Sequence, residues 1–191
     1  MISRPGLLVL LAGLIAAPLT TPAQDPHPHN SPDTAHKDDA KSGPSIKETV
    51  AWMENFSAQH GTIYVGSEIS QVNTISGNGE CSVTVDHKQP HATGANTIKH
   101  GQEKISLGDF DPKRIKVLIS TESGHTVFEL TFERTDSSPK IQQDAEMGDG
   151  RKTTFNFTQE SLFFDTGESA QRFAKALGHG ITVCGGVPSL F

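Results

Sequence analysis

The sequence predicts an α+β domain in which two helices bracket about seven short antiparallel strands, curved into a sheet or closed as a barrel. Three observations predict it. An apolar stripe at helical spacing follows a Ser-x-x-Glu pattern at Ser45. The apolar period then drops to two in short runs between Thr62 and Phe164. It returns to helical spacing over Phe173, Leu177, Ile181 and Cys184, which makes the last element a C-terminal capping helix.

Residues 1–23 read as an export leader. Arg4 supplies its positive start, Leu7–Ala17 its apolar run, and Thr21-Pro22-Ala23 the small residues before a cut near Ala23. The run is shorter than the roughly 20 residues a transmembrane helix needs, so the mature chain is expected in the periplasm or outside the cell, with no transmembrane segment. Residues 24–44 hold four prolines, three histidines and no large apolar side chain. Such a composition buries too little surface to offset the entropy of ordering and predicts a disordered tether. One domain is expected over 45–191.

That domain opens with a helix capped reciprocally by Ser45 and Glu48, with Ile46, Val50, Met53 and Phe56 on its buried stripe and Gly61 as a left-handed terminator. Trp52 lies off the centre of the stripe, either widening the buried face or remaining partly exposed. Strands are expected at Thr62–Gly66, Glu68–Ile75, Cys81–Val85, Ile105–Leu107, Ile115–Ile119, Phe128–Phe132, Phe155–Phe157 and Leu162–Phe164. Asp149-Gly150 suits a tight hairpin turn before Phe155. Asp165 or Thr166 caps the closing helix. Gly178 and Gly180 each cost about 1 kcal/mol in a helix interior, so the helix either runs through them or stops there and leaves Ile181–Cys184 extended.

Cys81 and Cys184 are the two cysteines of the chain. Export places them in an oxidising compartment, and each falls on the dry face of its element, which predicts a strand-to-helix disulfide.

Several local strings resemble those of a family of small exported bacterial proteins: Glu48–Met53, Cys81–Val85, Ser106–Pro112 and Arg172–Leu177 before Cys184-Gly185-Gly186. The order helix, strands, helix is similar to the pleckstrin-homology-like (PH-like) barrel, whose last helix plugs an open end. What that resemblance implies is a scaffold for protein or peptide contacts, without an activity. In that group phosphoinositides are gripped by Lys and Arg of the first hairpin loop. The loop Ile75–Glu80 has no basic residue, so lipid-headgroup binding is not expected here.

The formal net charge is −6, and loss of the leader with Arg4 makes it one unit more negative. That sign argues against nucleic acid and against an anionic membrane surface, both of which need clustered Lys and Arg. Gly-x-Ser-x-Gly and glycine-rich phosphate motifs are absent, and no cofactor is expected. Asp109-x-Asp111-Pro112 reads as a turn, and Asp144, Glu146 and Asp149 as a polar hairpin tip, lacking the ligand alternation of a calcium loop. His179 points to solvent as a partner of the helix dipole. His27, His29 and His36 belong to the tether, which cannot fix a metal geometry.

The stretch 86–104 is the best place to look for binding. It reads as a long connection carrying His87, Lys88, His91, Lys99, His100 and Lys104. The expectation is a monomeric, non-catalytic, exported binding module for a protein, peptide or small ligand. The alternative is a metal-binding protein or metal-dependent hydrolase using His87, His91 and His100.

Overall fold

The computed structural model describes residues 43–122, 124–136 and 140–187. The leader expected over 1–23, and the tether with its three histidines apart from 43 and 44, lie outside the described residues.

The helix Ile46–His60 (α1) begins as its capping box requires. Ser45 Oγ accepts from Glu48 N at 3.3 Å, and Ser45 N donates to Glu48 Oε2 at 2.8 Å. Val50, Met53 and Phe56 are buried, and Trp52 is half-buried with its ring stacked on Phe56 at 4.5 Å. Gly61 follows the helix with φ −87°, so it is not a left-handed terminator. A side chain there would sit 1.9 Å from the Asn73 carbonyl oxygen and 2.6 Å from that of Ser57. Close approach of two backbones, rather than a positive φ, demands glycine at this position.

Among the described residues nine strands follow, in two sheets. Thr62–Val65 (β1), Glu68–Gly77 (β2), Ser82–Lys88 (β3), Ile98–Ser106 (β4), Ile141–Met147 (β7) and Lys152–Phe157 (β8) form the first, in the order β1-β2-β3-β4-β7-β8. Lys116–Glu122 (β5), His125–Glu133 (β6) and Gln159–Phe164 (β9) form the second, in the order β5-β6-β9. Every pairing is antiparallel. Neither sheet closes on itself, so the barrel is not formed. β4 pairs with β7 rather than β5, and the β5–β6 hairpin recruits β9 into a separate layer beneath the closing helix.

Two of the differences from the expected strands matter for the site. β3 and β4 extend toward each other and shorten the long connection to 89–97. β7 is a strand where a polar hairpin tip was expected: Asp144 and Glu146 lie within it, and the turn is confined to Gly148–Gly150 before Arg151. There Met147 N donates to Arg151 O at 2.8 Å and Gly150 takes φ +86°, as the Asp-Gly pair predicts.

The closing helix Gly167–Val183 (α2) is capped by Thr166, whose hydroxyl accepts from Ser169 N at 3.1 Å. It runs through both glycines. A side chain on Gly180 would meet Leu107 and Thr49 at 3.4 and 3.5 Å, so this glycine marks where α2 lies close against α1. Phe173, Leu177 and Ile181 are fully buried on the face that packs over Leu130, Phe132, Leu162 and Phe164. Cys184 ends the helix and is bonded to Cys81 at the start of β3, with Cα atoms 5.5 Å apart. His179 does not face solvent alone: its Nε2 donates to the Pro44 carbonyl at 2.7 Å. The Asp109–Pro112 turn forms as expected. Asp111 accepts from Lys113 N at 2.8 Å, and Asp109 pairs with Arg134 at 2.9 Å.

Candidate functional site

The inner face of the six-stranded sheet changes character along its length. At the disulfide end it is dry, with Ile75, Val83, Val85, Ile105 and Ile141 packed under the helices. One period-two step further along each strand the same face turns polar. Asn73 stands opposite His87, His87 opposite Gly101, and Glu103 opposite Gln143. Alternation forces all of these side chains to the inner face, because each lies two residues from a buried apolar neighbour. Glu160 arrives from the other sheet by the same rule, one step before Leu162 and Phe164 on the inner face of β9.

His87, Glu103 and Glu160 meet there. His87 Nε2 lies 3.0 Å from Glu103 Oε1 and 3.1 Å from Glu160 Oε1. The side chains of Glu103 and Glu160 are 0% and 7% exposed, and that of His87 14%. The ring is fixed from behind. Asn73 Nδ2 donates to the Gly61 and Phe163 carbonyls, so its Oδ1 is the atom that accepts, from Gln71 Nε2 at 2.8 Å and His87 Nδ1 at 2.9 Å. Nδ1 of His87 therefore carries a hydrogen, and Nε2 is turned to the two carboxyls.

Gln143 Nε2 donates to Glu103 Oε2 at 2.9 Å, and Ser161 N to Glu160 Oε1 at 2.8 Å. Gln143 Oε1 is buried without a hydrogen-bond partner. Gly101 makes room for this amide: a side chain there would come within 2.8 Å of Gln143 Cδ and Nε2. Above lies a cleft of about 380 Å³, with Gln71, His87, Gln143 and Glu160 in its polar lining and Ile98, Phe157 and Phe163 in its apolar lining.

Burial penalises every charge in this group. For His87 that penalty is outweighed by hydrogen bonds and attraction from Glu103 and Glu160, and its imidazole is pushed up to about 10. Burial likewise works against ionised Glu103, but the bonds from His87 and Gln143 hold it below the ordinary carboxylate value. Glu160 goes the other way, raised to about 7 by burial and by the neighbouring Glu103 despite the pull of His87.

The stability of the unliganded domain follows with definite sign. His87, raised from 6.5 to about 10, stabilises fully below pH 6.5 and ceases to do so as pH rises through 10. Glu160, raised from 4.5 to about 7, loses its contribution as pH rises through 7. Glu103, lowered, contributes above pH 4.5 and loses this as pH falls. Urea midpoints of metal-free protein should therefore peak near pH 4.5 and fall toward pH 10. A midpoint that is flat or rising between pH 6 and 9 contradicts the assignment.

Of the sequence-predicted residues, His87 alone joins this cluster. His100 is on the opposite face of the sheet, its Nε2 2.8 Å from Asp86 Oδ2, and Lys88 pairs with the same Asp86 at 3.0 Å. His91 is exposed in the turn after β3, and Lys99 is exposed on β4 beside Glu146 at 3.4 Å. His87, His91 and His100 do not converge. Glu103, Glu160, Asn73 and Gln143 carried no motif. The available signal was alternation: Val83, Val85, His87 on one strand, Ile105, Glu103 on the next, and Phe164, Leu162, Glu160 on a third.

Comparison with protein-family models, with curated protein sequences and with solved structures finds no match.

Proposed function

We propose that this chain is an exported, non-catalytic binding domain whose ligand enters the cleft over His87, Glu103 and Glu160. The observation that carries the reading is the polar end of an otherwise dry sheet face, where Gln143 Oε1 is buried with no partner. Burying two carboxyls, an imidazole and three amides costs stability that an apolar face would not, so the fold itself has no need of them. Such groups beneath a cleft with apolar walls are the ordinary makeup of a small-ligand site.

The leader favours export. A binding role is favoured over catalysis because Ser161 Oγ, beside the cleft, is committed to Glu129 at 2.9 Å, and both cysteines are bonded to each other. The PH-like order of elements supports the same class of role by analogy alone.

Two-dimensional amide NMR of the full mature chain tests this, titrated separately with divalent metal ions, small primary amines and small carboxylates. Saturable shifts at the Gln143 side-chain amide and the backbone of 157–161, for at least one probe, are expected. Silence of that region with all three overturns the reading.

A further inference from the structure

We infer that the ligand of this cleft is a divalent first-row transition-metal ion, held by His87 Nε2 and one carboxylate oxygen each from Glu103 and Glu160. The inference rests on the binding role proposed above and gives its chemistry.

Three ligand atoms lie within 4.8 Å of one another. Ligands about 2.1 Å from one ion stand about 3.0 Å apart at a right angle and about 3.4 Å apart at the tetrahedral angle. The separations from Nε2 to the two oxygens, 3.0 and 3.1 Å, match the first arrangement and need only small movement for the second.

The second shell is built as well. A metal-bound imidazole ordinarily donates its other N–H to a fixed acceptor, and His87 Nδ1 donates to Asn73 Oδ1, itself locked by Gln71 and two backbone carbonyls. Glu103 is oriented by Gln143 and Glu160 by Ser161 N. Gln143 Oε1 is the independent sign of a missing partner, a buried acceptor beside the triad that a water on the ion can serve.

Charge points the same way. Two buried carboxylates beside a neutral imidazole carry a net charge of −2. A dication balances it. One nitrogen and two oxygens suit zinc, manganese or iron better than calcium, which takes six to eight oxygens.

Zinc should bind the full mature chain at one equivalent by calorimetry and native mass spectrometry. Binding should survive replacement of His27, His29 and His36 by alanine. His87→Gln and Glu160→Gln should each weaken it by more than about 100-fold, since losing even a second-shell partner costs about 10–100-fold. Manganese supplies a readout that needs no variant. At substoichiometric Mn²⁺ the amides of His87, Glu103, Gln143 and Ser161 should broaden first. Broadening centred on 27–36, or zinc indifferent to His87→Gln in a folded variant, overturns the inference. If zinc and manganese leave the cleft silent while an amine or carboxylate shifts it, the metal assignment falls and the binding role stands. If every probe leaves it silent, both fall.

Discussion

Replacing Cys81 and Cys184 together by serine is expected to lower the unfolding free energy by up to about 4–5 kcal/mol, the loop-closure value for a cross-link of roughly 100 residues. The bridge joins residues 103 apart in sequence and ties the end of α2 to the start of β3. It closes the apolar half of the structure, where Phe173, Leu177 and Ile181 lie over the core, so its loss acts mainly by freeing the unfolded chain. His87 is six residues along β3 from Cys81, about 20 Å at strand rise, and should keep its contacts. The double variant should unfold at lower urea yet retain the cleft's response to ligand at low temperature. Equal urea midpoints with and without a reductant would show that the bridge does not constrain the chain.

Removing the imidazole should cost nearly as much by a different route. His87→Ala leaves Glu103 and Glu160 buried side by side with their shared partner gone, and breaking a buried ion pair from one side costs about 3–5 kcal/mol. The loss should be largest near pH 8, where both carboxyls are under pressure to ionise. It should shrink as pH falls toward 5, because protonation relieves the repulsion. Adding Glu160→Gln to His87→Ala should recover part of the loss, a non-additivity expected of groups in one network. A cost that is independent of pH, or strictly additive with Glu160→Gln, would mean that the three side chains are not coupled.

These two experiments divide the molecule into an end that holds it together and an end that is available for function. The disulfide, the helix caps and the aromatic core account for the first. The second is a polar cluster drawn from both sheets: His87 and Glu103 from the six-stranded sheet and Glu160 from the three-stranded one, 73 residues from His87. An ion bound there would cross-link the two sheets as the disulfide cross-links strand and helix. Ligand occupancy should then raise stability in proportion to its binding free energy.

The elements that were legible in the sequence are those whose signal is local. Ser45 and Glu48 cap a helix through contacts three residues apart, Asp149-Gly150 makes its own turn, and Phe173, Leu177, Ile181 and Cys184 share a face because 3.6-residue periodicity places them there. The strands around the cluster are obscured by the polar residues on their inner faces. β7 carries Ile141, Gln143, Ala145 and Met147 on its inner face, so its middle shows no apolar alternation. β4 has Gly101 and Glu103 at inner positions, and the strand therefore looks like a loop until Ile105. His87 stands out in the sequence, but nearness along the chain groups it with His91 and His100. Pleating puts His100 on the other face, and the true neighbours come from β4 and β9. Polar residues on a core face erase the periodicity by which strands are recognised, so the same substitutions hide strand and cluster alike.

Whether an ion belongs between His87, Glu103 and Glu160 is decided by crystals of the mature protein grown with zinc. Diffraction measured on both sides of the zinc absorption edge should give an anomalous peak at about 2.0–2.2 Å from His87 Nε2 and from one oxygen of each glutamate. An empty triad with Nε2 still 3.0–3.1 Å from both carboxyls, in crystals whose zinc sits elsewhere, would contradict it.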